Sequence, residues 1–195
     1  GFKSDRLRVV LMAGFLFSAG FTFFTTFFGV YLRNNFNFSS AKIGDYFAIV
    51  GMFIAVSQAV VVGRVAKKLA DWKVLRFSMF GLGAMMLVYF VIPTSSSSYL
   101  YLVIPFFTLF NGLTMANMSS LISRSAEMGQ QGQAMGIYSS VSSLAQVPAS
   151  ILVGYITSDI TSSQPLFVSS ACIILGGAVF FILFKPKYVM ENAHA

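Results

Sequence analysis

The residues able to do chemistry in this chain are neutral polar side chains set into long apolar runs. Ser139, Ser143, Gln146 and Ser150 recur at i, i+4, i+7 and i+11, a spacing that puts all four on one face of a helix. Asn111, Thr114 and Asn117 form a shorter stripe, with Met118 on the face of Thr114. Ser18, Thr22 and Thr25 form a third, and one residue round from them stand Phe17, Phe21, Phe24 and Phe28. Hydroxyls, amides and rings in this arrangement suit the wall of an aqueous or amphipathic cavity. The same residues also serve as packing groups, because Ser, Thr and Gly let apolar helices approach closely and bond across. The amides Gln58, Asn111, Asn117 and Gln146 carry more donors and acceptors than a hydroxyl, and any left unpaired in hydrocarbon is costly. Four of them in three runs point to a shared polar interior, with both roles open for each.

Other chemistries lack their parts. No Asp, Glu or His lies within an apolar run, so an intramembrane general acid, base or hydrolytic centre is excluded, including a buried Ser–His protease pair. Cys172 is the only cysteine and His194 the only histidine, which leaves no metal-ligand cluster. Neither a paired Asn-Pro-Ala nor an Arg-repeat voltage sensor occurs. The chain is expected to be no enzyme and to need no cofactor.

The elements that must position these stripes are six apolar runs, 9–32, 46–62, 77–93, 99–122, 134–156 and 165–184, none carrying a charge. A helix needs about 20 apolar residues to cross a bilayer core. A mean hydropathy of +0.78 agrees. The fold class expected is therefore all-α: a polytopic membrane protein of six transmembrane helices in one bundle, flanked by an N-terminal segment 1–8 and a tail 185–195. Pro93 and Pro165 mark helix ends, and Pro148 should kink the fifth span. Most of the 22 Phe are expected to face lipid. The start at Gly1 rather than Met suggests a piece of something longer, and no cleavable signal peptide is visible.

The net charge of +7 is distributed by turn. Eleven of the 13 basic residues fall before the first span or after the second, fourth and sixth, with Arg64, Lys67, Lys68, Lys73 and Arg76 clustered after the second. Cytoplasmic loops carry the Lys/Arg excess, so both termini are assigned to the cytoplasm. The partners implied are membrane lipids with anionic headgroups, not nucleic acid. A faint echo at a shift of about 92 residues pairs Ile43-Gly44, Gln58 and Gly63 with Met135-Gly136, Gln146 and Gly154.

Four stretches carry a family resemblance. They are Ser39–Asp45, the basic loop Gly63–Leu75, Asn111-Gly112 with Ser119–Arg124, and Gly132–Gly136 continued by Ser140, Gln146, Pro148 and Gly154. Together they resemble the C-terminal half, spans seven to twelve, of a major facilitator superfamily transporter, and most nearly the drug:proton antiporters that include tetracycline efflux proteins. Lys67 stands where the family's loop motif has an acid, and Val147-Pro148 where it has glycine-proline. The resemblance implies alternating access around a midplane site, the first and fourth spans lining the cavity and the second and fifth at the interface between halves. It implies substrate-cavity residues Thr22, Thr25, Asn111, Thr114, Met118 and Gln146, and helix-packing or gating residues Gln58, Ser139, Ser143, Pro148 and Gly154. Gly63, Arg64, Lys67 and Lys68 would form a cytoplasmic latch or a simple topology anchor. The expected function is half of a secondary transporter of a small amphipathic molecule in the plasma (inner) membrane, its partner a missing N-terminal six-helix half or a second copy. Proton coupling has no buried carboxylate here and would belong to that other half. A sugar or metabolite permease and a non-transporting membrane scaffold are the alternatives.

Overall fold

The computed structural model of the chain describes residues 5–66, 68–94, 97–126, 129–156 and 164–184. Six long helices follow one another: α1 (Asp5–Phe36), α2 (Ser40–Val56), α3 (Asp71–Val91), α4 (Ser98–Ser125), α5 (Gln131–Ile156) and α6 (Gln164–Leu183). A π-helical segment, Ser57–Val62, and one α-turn, Gly63–Ala66, extend α2. The helices run past the apolar cores from which they were anticipated. Arg33 falls in the last turn of α1, Asp45 and Lys42 lie near the start of α2, and Asp71 opens α3. At 1.5 Å per residue α1 is about 48 Å long, well beyond the hydrocarbon thickness, so its charged ends reach the headgroup regions.

The connection from α1 to α2 is only Asn37-Phe38-Ser39, shorter than the polar stretch 33–40 suggests. Asn37 adopts φ 53°, the left-handed conformation that asparagine tolerates, and this lets the Phe38 N–H bond back to Leu32 O at 3.3 Å. Ser39 then caps α2 by accepting from the Lys42 N–H at 3.3 Å.

α1 and α4 form the middle of the bundle; α6 and α3 pack together behind them, and α2 and α5 lie in front. Interlocking small residues hold the rear layers. Ser169 Oγ donates to Gly20 O at 2.6 Å and Ser170 Oγ to Gly83 O at 2.8 Å, contacts possible only because neither glycine has a side chain in the way. One end of the bundle is closed by tyrosines. Tyr31 Oη donates to Tyr89 O at 2.6 Å, the Tyr46 and Tyr89 hydroxyls share a 2.9 Å bond, and Tyr46 also donates to Leu100 O at 3.4 Å. At the other end Asp71, at the start of α3, meets Ser120 and Arg124 near the end of α4.

The phenylalanines of α1 depart from the general expectation that Phe faces lipid. Phe17, Phe23, Phe24, Phe27 and Phe28 of α1 are buried, not turned to lipid, and Phe24 stacks on Phe28 at 4.5 Å. A central helix wrapped by neighbours has little lipid-facing surface to offer, so its rings build the core.

Five helices are long and apolar enough to cross a membrane: α1, α2 with its extension, α3, α4 and α6. α5 has the length, 26 residues, but is not among them. Its Gln131, Gln133, Gln146 and its serines give it a polar face that the other five lack, and the expected six-helix half-bundle stands.

Candidate functional site

The polar stripes end in two different environments. The α4 stripe is internal: Asn111 is 2% exposed, Thr114 and Met118 0%, and Asn117 is buried beside them. Thr114 Oγ1 lies 2.9 Å from Ser78 Oγ of α3 and 2.8 Å from Phe110 O, and Asn117 Nδ2 donates to Leu113 O at 2.7 Å. These groups are satisfied within the half-bundle itself. Asn111 Oδ1 differs: it is buried and has no hydrogen-bond partner among the described residues, and the same holds for Ser57 Oγ at the start of the π-helical segment. Ser57 follows Tyr46 by as many residues as Asn111 follows Leu100, and Tyr46 and Leu100 touch. α4 packs on both α2 and the π-helical segment, so the two orphaned oxygens stand at similar depth. π-helical turns recur at functional sites, where the extra residue re-aims a side chain.

Met118 belongs to a seam. Gly14 of α1 lies between it and Tyr138 of α5: a Cβ at Gly14 would sit 2.8 Å from Tyr138 Cε2 and 3.7 Å from Met118 Sδ. Beside this contact Ser18 Oγ donates to Ser142 Oγ at 3.0 Å, and Thr22 Oγ1 donates to Ser18 O at 2.8 Å. Ser18 therefore serves the α1–α5 contact, a packing role for part of the first-span stripe, while the Thr22 hydroxyl is satisfied within α1.

The remaining polar residues face outward. Ser139, Ser143, Gln146 and Ser150 are all exposed, as are Thr25 and Gln58. The arrangement of α5 around its axis shows why this matters. Ala134, Tyr138, Ser142, Ala145 and Ala149 pack inward; next round the helix comes the polar stripe; beyond it Leu144, Val147 and Ile151 are exposed at 66%, 60% and 58%. The polar stripe thus borders the seam with α1, between packed and apolar outward surfaces. Thr25 donates to Phe21 O at 3.1 Å, so its hydroxyl is satisfied within its own helix. Exposed Thr25 and Thr26 of α1 and Met115 of α4 belong to the middle layer that α2 and α5 flank.

The structure thus brings Asn111, Thr114 and Met118 together inside the bundle and leaves Thr25, Gln146, Ser139, Ser143 and Gln58 on its surface, with Thr22 between. Pro148 is exposed and α5 continues through it to Ile156, a stretch that includes Gly154. Gly63 and Arg64 are exposed, with Arg64 Nη1 donating back to Val60 O at 3.1 Å; Lys68 is exposed, and Lys67 lies outside the described residues, as do the tail lysines Lys185 and Lys187 and His194. Among the described residues no group of His, Cys, Asp or Glu could hold a metal ion.

Sequence reasoning missed one ion-pair site. Asp71 is buried and accepts from Ser120 Oγ at 2.6 Å, with Arg124 Nε 3.4 Å away. A lone acid within the basic loop, with Arg124 the lone cation ending the fourth span, was the available signal.

The sequence has relatives among known proteins. The family model of the Major Facilitator Superfamily matches residues 10–194. The chain is 29% identical over 182 residues to "Hippocampus abundant transcript-like protein 1" of Mus musculus, covering 83% of this chain and 35% of that protein. It is 27% identical over 191 residues to the Rattus norvegicus protein of the same name, with the same coverage. The Homo sapiens protein is 29% identical over 129 residues, covering 66% of this chain and 25% of the relative. The chain spans about a third of the length of the curated relatives it matches. The resemblance to drug:proton antiporters narrows to the superfamily itself, since none of these names specifies a cargo. The family match takes in all six helices and nearly every residue between them, and the chain belongs to the major facilitator superfamily.

Proposed function

We propose that this chain is one half of a secondary transporter that moves a small amphipathic molecule by alternating access. The observation that carries the proposal is the outward polar stripe of α5, Ser139, Ser143, Gln146 and Ser150, together with Gln58 beyond α2. A spanning helix cannot leave amides against hydrocarbon without a cost of several kcal/mol, so this face is made to meet water or a polar partner. A companion six-helix half set against α2 and α5 would enclose a cavity whose wall on this side is Thr22, Thr25 and Gln146. Asn111 Oδ1, an acceptor with no internal partner among the described residues, is available to a polar group entering between α2 and α4. In this proposal Thr114 and Met118 shape the wall from behind, Ser139 and Ser143 meet the companion half, and Pro148 and Gly154 set the course of α5.

The coverage of only about a third of each relative is consistent with a companion half encoded in the same protein, and a second copy of this chain is the other candidate for that place. Carboxylates of the described spans lie near helix ends, at Asp5, Asp45 and Asp71, so we assign any proton-coupling acid to the companion half. The charge distribution supports cytoplasmic termini, with Gly63, Arg64, Lys67 and Lys68 anchoring that side, and we assign the chain to the plasma membrane.

The test is uptake and efflux of a panel of dyes and antibiotics, with and without a proton gradient, in vesicles carrying the intact gene product. Gln146→Ala should abolish or strongly weaken transport while insertion and folding persist. Transport of sugars or other metabolites in place of the panel would reassign the cargo to a permease. No movement of any solute by a folded protein would leave the scaffold role.

A further inference from the structure

The surface farthest from α2 and α5 carries a second arrangement, at the end of the bundle where α3 begins and α6 ends. Arg76 is held there between two rings: its guanidinium carbon lies 4.8 Å from the centroid of Trp72 and 4.7 Å from that of Phe181. Its Nη2 donates to Phe181 O at 3.2 Å and Phe184 O at 2.8 Å, satisfying carbonyls that the end of α6 leaves without helical partners. Nε has no partner among the described residues. Lys73 Nζ lies 5.4 Å from the Trp72 centroid and is exposed.

The nearby acid does not neutralise this pair. Asp71 is turned to Ser120 and Arg124 on the α4 side, and among the described residues no carboxylate pairs with Lys73 or Arg76. Phe77 and Phe181 flank the cluster with exposures of 69% and 57%. Apolar rings open to the outside, a half-buried tryptophan and two uncompensated cations thus meet at the end of two spanning helices. An indole prefers the headgroup level of a bilayer, and a guanidinium beside an ammonium favours a phosphate oxygen.

We infer that Trp72, Lys73 and Arg76 form a binding site for the phosphate headgroup of an anionic phospholipid, whose acyl chains lie along Phe77 and Phe181. The site is set apart from the α2–α5 face and does not depend on what that face transports. Arg76 does two things in it: it closes the end of α6 and presents the lipid with a cation already ordered by two rings, so little side-chain freedom is lost on binding. A bound headgroup would join α3 to α6 through a charge the protein itself does not supply.

Trp72 is the only tryptophan in the chain and reports on its own site. The intact protein is placed in phosphatidylcholine nanodiscs containing a small fraction of brominated phosphatidylglycerol or, in parallel, brominated phosphatidylcholine. Quenching is read as wild-type emission minus that of Trp72→Phe, which removes any contribution from tryptophans elsewhere. The site predicts saturable quenching by the anionic lipid at about fivefold lower mole fraction than by the zwitterionic one. Lys73→Gln should bring the two curves together, while Arg64→Gln, on the same basic end but outside the cluster, should leave them apart. Lys73→Gln leaves the Arg76 contacts with α6 in place, so a loss there is not a failure to fold. Equal quenching by both lipids in the wild type would overturn the inference. So would equal losses in Lys73→Gln and Arg64→Gln, which would mean general surface charge. Displacement of the quencher by millimolar glycerol phosphate would show a free-phosphate site and overturn the lipid assignment.

Discussion

At the scale of single residues, burial decides what a polar group contributes. The Asp71 side chain is 8% exposed and that of Arg124 73%, so the two halves of the ion pair are unequal. Removing the acid deletes a charge-assisted bond to Ser120 and leaves a buried gap; removing the exposed arginine loses an interaction largely screened by solvent. Asp71→Ala is expected to cost about 1–3 kcal/mol and Arg124→Ala less than about 1 kcal/mol, measured as midpoints of denaturation in detergent. Equal costs would mean that the salt bridge, not the bond to Ser120, holds α3 to α4. Asn111 poses the opposite case. Its Oδ1 is buried without a partner among the described residues, so a leucine of similar shape removes a desolvation cost and loses no bond to that oxygen. Asn111→Leu should therefore fold at least as stably as the wild type while transport falls. A clear loss of stability would make Asn111 a packing group.

At the scale of helices, glycine marks where elements come closest. A Cβ on Gly20 would lie 2.8 Å from both Ser169 O and Ile173 Cγ1, and the former is backbone that cannot step aside. Gly29, on the same helix, has nothing within 4 Å of that position. Gly20→Ala is expected to destabilise the α1–α6 contact by about 1–3 kcal/mol, and Gly29→Ala to be neutral or stabilising by up to about 1 kcal/mol. Comparing the two midpoints separates packing from helix propensity, because the chemical change is identical. Sequence spacing placed the α5 stripe well, because Ser139, Ser143, Gln146 and Ser150 share a face by helical geometry alone. It left the aromatic ladder of α1 open between cavity wall and packing, because core, cavity rim and lipid all accept an apolar ring and hydropathy does not tell one from another. The π-helical segment was likewise invisible: Ser57–Val62 has no composition that distinguishes it from the α-helix before it.

At the scale of the molecule, the two outward arcs of α5 should behave differently in a membrane. In a background with native cysteines, Cys172 included, replaced by serine, Ser143→Cys and Ser150→Cys should react with a hydrophilic, membrane-impermeant thiol reagent. Leu144→Cys and Ile151→Cys, on the neighbouring apolar arc, should not, because the thiolate that reacts does not form in hydrocarbon. Uniform reactivity, or none, would remove the case for a polar interior beside α5. Adding substrate should protect the reactive pair if the companion half closes over it.

Apolar runs of spanning length sufficed for a polytopic helical bundle, because bilayer thickness and the cost of bare backbone leave an apolar chain few alternatives; the superfamily was legible only as a resemblance of the stretches around Gly63, Asn111 and Gly132 to known members. Periodicity within one helix is a local property, and it also grouped the polar residues correctly into stripes. Which stripe is covered depends on helices distant in sequence. Only the tertiary structure placed Thr114 against Ser78 and Asp71 against Ser120, set Arg76 between Trp72 and Phe181, and left Gln146 outside. Those outcomes follow from layer order, with α1 and α4 enclosed and α2 and α5 in front, and no single helix encodes its place in that order.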